Sequence, residues 1–344
     1  KTTRFNVYRS DSRNHAGFLV NKKPIEQGTT FQDGEITSGN RYHYYIRTVD
    51  AKGKEGRRSE WAAVTAGETE NSVVVAFKPV CKPGDVVPVF GDLNGDGTMD
   101  CVIRLGNGNS EMSQDPGIPV QMEAFTSYGR SIWRKDICFH DHCYGSASNV
   151  PFNVWDMDDD GKADVITRIQ LGDSVFVAIL DGITGNVKHK TPWPAMVTDF
   201  QRSSTRIHLS IAYLDGIHPA VITQTGLYEN EVFVAFDSEL KKLWQFDSFA
   251  ETNGSGGHKI EVADVDGDGK QEVFDGTTCL NHDGTIRWSI YRQHPDIITI
   301  NDFLPDRPGL EVYYVVESNT HAGAYMVDAN TGEEIGRASC RERV

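Results

Sequence analysis

The chain has 344 residues, enough for one large core and a smaller module. Its make-up, 38% hydrophobic and 24% charged, is that of a globular protein, and no apolar run approaches the roughly 20 residues of a membrane helix. The net charge of −15 argues against nucleic acid as a partner, because phosphate contacts need clustered Lys and Arg; it suits divalent cations instead.

The first 70 residues read as short strands with turns: Arg4–Arg9, Gly17–Val20 and Tyr42–Val49, the last alternating on a period of two with aromatic and β-branched residues. Asp50-Ala-Lys-Gly53 follows as a turn. Residues 1–70 are therefore expected to form a small fibronectin-like β-sandwich, and Ala66–Asn71 a linker. No signal peptide is visible, but the chain begins at Lys1 rather than methionine, which leaves room for a leader upstream.

From residue 73 to 334 a repeat dominates. Three segments match best: Asp92-Leu-Asn94-Gly-Asp96-Gly97-Thr-Met-Asp100, Asp156-Met-Asp158-Asp-Asp160-Gly161-Lys-Ala-Asp164 and Asp264-Val-Asp266-Gly-Asp268-Gly269-Lys-Gln-Glu272. Degenerate copies stand at Tyr213–Pro219 and Asp302–Glu311. Oxygen ligands at positions one, three and five, a Gly at six for the sharp turn and a carboxylate at nine suit Ca²⁺. The first half follows an EF-hand loop, but no helices flank it and the glutamate at twelve is absent. The competing reading is an Asp/Gly turn without metal; three good copies in register weigh against it. After each copy comes a strand ending near a hairpin turn, as in Val175–Gly182, Val232–Asp237 and Tyr325–Gly332. Several copies then close on a tryptophan, Trp133, Trp244 or Trp288. Loop, strand, hairpin and Trp-ended strand make one four-stranded blade, so the fold class expected is all-β, with about five blades of a β-propeller.

The last ten residues, Ile335–Val344, resemble a translated sequencing adapter and are set aside from the fold; removing their three Arg and one Glu takes the net charge from −15 to −17. The natural protein is then expected to continue past Glu334. Outside that tail the cysteines are Cys81, Cys101, Cys138, Cys143 and Cys279, with no CxxC pair, which argues against zinc. Cys138 and Cys143 are the nearest pair for a disulfide, although spacing alone does not establish one.

The ordered run of motifs carries a resemblance. It includes Phe5–Arg9, Gly91–Gly97, Ile132-Trp-Arg134, Arg206 with Ile211–Gly216, and Gly226-Leu-Tyr228. Gly257-His258 with Val262–Lys270, His282-Asp-Gly284, His294 with Asp296, and Arg307–Val312 complete it. In these the chain resembles the rhamnogalacturonan lyases of polysaccharide lyase family 11. The resemblance implies an eight-bladed calcium-binding propeller, here incomplete, with a small β-sandwich. It implies an exported bacterial enzyme, expected as a monomer, whose partner is an acidic polysaccharide cut by β-elimination.

Such chemistry needs a cation or Arg at the uronate carboxylate, a base for the C5 proton and an acid for the departing O4. His258 and His294 are the base candidates, since histidine titrates near neutrality without help. Tyr228 is the candidate acid and Arg206 the carboxylate clamp. Each has a structural alternative: His258 as a metal ligand or carbonyl partner, Tyr228 as a core aromatic, Arg206 as partner to a calcium-loop carboxylate. His282-Asp283, in a hairpin turn, reads as structural. The chain departs from the family at Arg104–Asn109 and at Gly145–Asn149, near His140 and His142. His140, His142 and Asp296 are candidate substrate-binding residues, and on another uronate polymer His140 or His142 with Tyr228 would be the base and acid pair. The departures leave open another uronate polymer such as ulvan, or a carbohydrate-binding propeller that has lost the chemistry. The twelve expected metal ligands are Asp92, Asn94, Asp96, Asp100, Asp156, Asp158, Asp160, Asp164, Asp264, Asp266, Asp268 and Glu272.

Overall fold

A computed structural model of the chain describes residues 4–25, 31, 33–50, 52–66, 86–105, 119–138, 150–194, 207–227, 230–252, 256–290, 294–317 and 322–338. The chain divides into two compact units, Lys1–Val74 and Val75–Val344. Among the described residues every element is a strand except one short helix.

The first unit is one sheet built from β1 (Arg4–Ser10), β2 (Phe18–Leu19), β3 (Arg41–Val49), β4 (Glu55–Arg58) and β5 (Ala62–Thr65). Where the sequence leads one to expect a two-sheet sandwich, the described residues form a single sheet ordered β2-β1-β3-β4, with β5 also on β3. The reason is the length of β3. One edge pairs with β1 over seven residues, and the other takes β4 near Val49 and β5 near Arg41, so both short strands join the same sheet. Tyr8 stacks on Tyr45 at 4.9 Å and Trp61 meets Tyr45 edge-on at 4.7 Å, an aromatic cluster that seals one face.

The second unit is a series of four-stranded antiparallel meanders. The first holds β6 (Val86–Gly91), β7 (Asp100–Leu105), β8 (Val120–Phe125) and β9 (Ser131–Cys138). The second holds β10 (Phe152–Trp155), β11 (Asp164–Leu171), β12 (Ser174–Leu180) and β13 (Val187–Pro192). The third holds β14 (Ile207–Ala212), β15 (Ala220–Leu227), β16 (Asn230–Phe236) and β17 (Lys242–Asp247), followed by the helix α1 (Ser248–Thr252). The fourth holds β18 (Ile260–Ala263), β19 (Glu272–Asp275), β20 (Thr278–Leu280) and β21 (Ile286–Ser289). The fifth holds β22 (Pro295–Asn301), β23 (Glu311–Val316), β24 (Gly323–Asp328) and β25 (Glu334–Ala338). The segment set aside as an adapter thus enters the fold as far as Ala338. β25 pairs with β24 through its backbone and is mostly exposed, so its side chains are weakly constrained.

First strands lie beside first strands: β10 next to β6, β14 next to β10, β18 next to β14 and β22 next to β18. The core is accordingly cut into layers between successive sheets. Val102, Met122, Val165 and Leu180 fill the first layer, Ile166, Val177, Val221 and Val234 the second. Ile222, Phe233, Val273 and Leu280 fill the third, and Phe274, Cys279, Val312 and Tyr325 the fourth. The middle strands read as continuous apolar runs because both of their faces are covered, β7 being buried along its whole length.

Tryptophans join the layers. The indole N–H of Trp133 donates to Gly182 O in the second sheet, that of Trp244 to His282 O in the fourth, and that of Trp288 to Ala329 O in the fifth. Each ring lies on a glycine of the next sheet's hairpin: Gly185, Gly284 or Gly332. At the one seam of this series without such a ring, His189 stands where the others have Trp, and the turn opposite carries Leu240 instead of glycine, at φ 63°. Leu240 is buried and fills the layer from the other side.

Candidate metal and substrate site

The Asp-rich loops connect the first and second strands of the first, second and fourth sheets. Gly97, Gly161 and Gly269 at position six have φ of 84°, 82° and 90°, the left-handed turn that glycine takes without strain. Position one accepts the loop's own amides: Asp92 from Gly95, Asp96 and Gly97, Asp156 from Gly161, and Asp264 from Gly267 and Gly269. Position nine opens the second strand and is buried: Asp100, Asp164 and Glu272. Asp100 and Glu272 each accept the amide of position two, Leu93 or Val265. The degenerate fifth copy keeps that bond, with Glu311 accepting from Phe303 N and Leu304 N.

The donor sets fit a cation. Carboxylate oxygens of Asp156, Asp158 and Asp160 lie within 4.8 Å of one another, as do those of Asp264, Asp266 and Glu272. Asp156 Oδ1 is buried with no hydrogen-bond partner, an acceptor left for an ion. Asp96 in the first loop and Asp268 in the third accept an amide of their own turns through Oδ1 and carry a second carboxylate oxygen, while Asn94 Oδ1 accepts from Asp96 N. Two loops also contain a tethered cation that the loop motif does not reveal. Lys188 on β13 reaches Asp158 Oδ2 at 2.7 Å and Asp164 Oδ2 at 2.9 Å. Arg287 on β21 reaches Asp266 Oδ2 at 3.0 Å, with Glu272 Oε1 4.0 Å away. Burial pushes the Asp164 carboxyl up to about 6 in spite of Lys188. In the fifth copy Arg307 pairs with Asp328 at 2.7 Å and stands 3.8 Å from Glu311.

A different cluster forms where the fourth and fifth sheets meet. His258 sits just before β18, and His294 just before β22. Because these first strands are neighbours, two histidines 36 residues apart meet with their Nε2 atoms 2.9 Å apart. Asp296 is the extra residue of a bulge, since Pro295 pairs with Val316 and Ile297 with Val315. The bulge turns its carboxylate inward, bringing Oδ1 to 3.3 Å from His258 Nε2 and 3.6 Å from His294 Nε2. His294 Nδ1 meets Gly256 O at 2.5 Å; a proton there fixes the tautomer and leaves the lone pair on Nε2. One atom from each of the three residues converges within 4.8 Å, a ligand set for a metal ion. His294 is 6% exposed, whereas the Asp296 side chain is 44% exposed, so the cluster opens on the aspartate side.

Of the sequence candidates, then, His258, His294 and Asp296 come together. Arg206, Tyr228, His140 and His142 lie outside the described residues. His282 bonds Lys270 Nζ at 3.1 Å and Asp283 bonds Thr285, which makes that segment a hairpin turn. The sequence reading missed Lys188 and Arg287; the only signal for them is their phase, one residue before the position that carries Trp in other sheets. Cys138 is disulfide-bonded, while Cys101 and Cys279 are free and buried.

Residues 174–343 match the family described as rhamnogalacturonan lyase family 11, C-terminal domain. The chain is 30% identical over 388 aligned positions to the rhamnogalacturonan exolyase YesX of Bacillus subtilis (strain 168), covering 97% of this chain and 61% of that protein. It is 30% identical to the rhamnogalacturonan endolyase YesW of the same organism, covering 96% and 59%. It therefore spans about three fifths of the length of these relatives. The solved structure of the Bacillus licheniformis rhamnogalacturonan lyase PL11 superposes with a TM-score of 0.74 at 26% identity, over 98% of this chain and 65% of that one. The exotype lyase YesX superposes with a TM-score of 0.71 at 27% identity, over 98% and 62%. With the all-β fold that it shares with these solved lyases, the part of the chain from residue 174 to 343 belongs to rhamnogalacturonan lyase family 11 as its C-terminal domain.

Proposed function

We propose that this chain is the greater part of a secreted polysaccharide lyase that cleaves the rhamnogalacturonan I backbone at galacturonate by β-elimination. The convergence of His258 Nε2, His294 Nε2 and Asp296 Oδ1 on one point is the observation that carries the reading. In this reaction a base takes the C5 proton, the C4–O4 bond breaks as the C4–C5 double bond forms, and O4 leaves with a proton. A divalent cation at the three ligands would supply positive charge beside the uronate carboxylate, which makes the C5 proton more acidic. His294 holds its ring through the Gly256 carbonyl and keeps Nε2 aimed at the ligand point. Asp296 contributes negative charge on the open side of the cluster. The two Nε2 atoms face one another and the aspartate, so neither histidine is placed to take a proton from sugar; we assign them as ligands rather than as the base. The acid role stays with Tyr228 and the carboxylate clamp with Arg206.

The surrounding architecture reads as five blades of an incomplete propeller, supported by the meander sheets whose first strands adjoin. Ca²⁺ in the three Asp-rich loops would hold the blade entries. The disulfide at Cys138 favours an oxidising, exported setting. The test is a rise in ultraviolet absorbance from unsaturated uronate when the chain is mixed with rhamnogalacturonan I. Activity should vanish on chelation, return with a divalent cation, and be lost in His294→Ala and Asp296→Asn. No unsaturated product, together with no retardation of the chain in gels containing the polymer, would overturn the assignment.

A further inference from the structure

Charge is divided unevenly along the chain. The first unit, residues 1–74, holds 12 Lys and Arg against 9 Asp and Glu, whereas the rest holds 22 against 40. A strongly acidic protein repels an acidic polymer at long range. The first unit has the opposite sign, and one face of its sheet gathers that sign on two side chains.

Tyr8 of β1, Tyr45 of β3 and Trp61 between β4 and β5 stand together on this face. Two guanidiniums lie on their rings. Arg47 stands 6.0 Å from the ring centroid of Tyr8 and 5.7 Å from that of Tyr45. Arg58 stands 5.6 Å from Tyr45 and 5.2 Å from Trp61. The register of the sheet produces the arrangement, because Arg47 on β3 is the direct partner of Arg58 on β4. Like charges opposite one another destabilise a sheet. Glu55 offsets one of them: its Oε2 lies 3.7 Å from Arg47 Nε, while its Oε1 accepts from Asn6 Nδ2 and the Tyr8 hydroxyl at 2.6 Å each. Arg47 also donates to Gly56 O at 2.9 Å. Arg58 is exposed, and among the described residues the two rings are its partners.

Rings that cover the faces of a guanidinium leave the N–H donors at its edge for an outside acceptor. A carboxylate takes two such donors side by side. A polymer with a carboxylate on its sugars can meet both arginines, and the half-buried rings of Tyr8 and Trp61 beside them suit the C–H faces of those sugars. We propose that the Arg47–Arg58 face of the first unit is a non-catalytic binding site for the uronate polysaccharide, an anchor that offsets the repulsion from the acidic remainder of the chain. The inference rests on the reading of the substrate as a galacturonate polymer.

The test runs the full chain in native gels cast with polygalacturonate, which presents the carboxylates without the rhamnose of the proposed substrate, so that binding is read apart from cleavage. The wild type should be retarded, and less so as sodium chloride screens the contact. Arg58→Gln should raise the apparent Kd about tenfold, the effect of losing one charge-assisted contact. Arg58→Lys keeps the charge without the planar fork and should fall between the two. Arg130→Gln makes the same charge change at an exposed position of the second unit and should bind as the wild type does. Equal retardation of wild type and a folded Arg58→Gln would overturn the site. Should Arg58→Gln fail to fold, the wild type decides by itself: retardation by fully methyl-esterified polymer as strong as by the acid form would overturn it, and so would equal displacement by dextran sulfate, which would establish a general polyanion face. No retardation of a wild type that still forms unsaturated product from rhamnogalacturonan I would sink the anchor and leave the lyase reading standing; retardation without product would do the reverse.

Discussion

A methyl group on Gly256 is the smallest change that reaches the histidine cluster. It would meet Glu231 Oε2 at 1.7 Å, and the carboxyl cannot retreat because Glu231 is wholly buried. Gly256→Ala should therefore cost about 1–3 kcal/mol, the usual penalty of overpacking, and displace the carbonyl that orients His294. Gly257→Ala, with its nearest atom at 3.3 Å, should cost less. Urea unfolding of the two variants measures the order, and a Gly256→Ala protein as stable as wild type would contradict the packing described. In the first unit, a hydrogen bond from Tyr8 to Glu55 Oε1 at 2.6 Å, helped by burial, pushes the tyrosine up to about 12. The raised value means the folded state holds its proton more tightly. The contribution is complete below the ordinary tyrosine value of about 10 and is lost as pH rises from there toward 12. Tyr8→Phe should remove that alkaline dependence, which a series of thermal melts between neutral and strongly alkaline pH would reveal. Little of this was legible beforehand. His258 and His294 stand out in the chain as base candidates, with metal ligation an alternative for His258, and Asp296 as a sugar contact; that they share a point depends on strand adjacency, and the inward turn of Asp296 depends on a bulge.

Within the sheets, the repeat was readable because each copy restates one pattern: loop, apolar middle strand, hairpin, Trp. The limits of that reading fall where the pattern is carried by one residue. His189 in the Trp position and Leu240 in the glycine position exchange which side fills the seam, and only the three-dimensional partner makes sense of the pair. The single sheet of the first unit escaped notice because β4 and β5 are four residues each and share an edge of β3. The tryptophan joints support a quantitative expectation. Trp133 is buried between the first and second sheets, so Trp133→Ala should destabilise by about 3–5 kcal/mol. Trp133→Phe keeps most of the apolar area and loses the bond to Gly182 O, which should cost about 0.5–1.5 kcal/mol. Equal losses in the two variants, measured by denaturant unfolding, would mean that the ring's packing contributes nothing beyond the hydrogen bond.

For the molecule as a whole, the net charge of −15 and the loop carboxylates set how stability should answer to metal. With Ca²⁺ in the loops as proposed, their dependence on the ion should differ. In the second loop Lys188 already neutralises Asp158 and Asp164, and in the fourth sheet Arg287 pairs with Asp266. At the matching position of the first sheet stands Ile132, and among the described residues no Lys or Arg pairs with Asp92, Asp96 or Asp100. A chelator should thus lower Tm chiefly by emptying the first loop. At a free Ca²⁺ one hundred times its Kd, each occupied loop stabilises the fold by about 2.7 kcal/mol, and that much is lost on removal. Sodium chloride at equal ionic strength screens the repulsion among exposed carboxylates but does not coordinate them, so it should restore only part of the loss. Lys188→Met transfers the duty of neutralising buried Asp164 to the ion, so this variant should show a larger chelator-induced drop in Tm than wild type. Asp96→Asn should show a smaller one. A chelator that leaves Tm unchanged in all three proteins would mean that the loops are metal-free Asp/Gly turns, held by the amide bonds to Asp92, Asp156 and Asp264 alone.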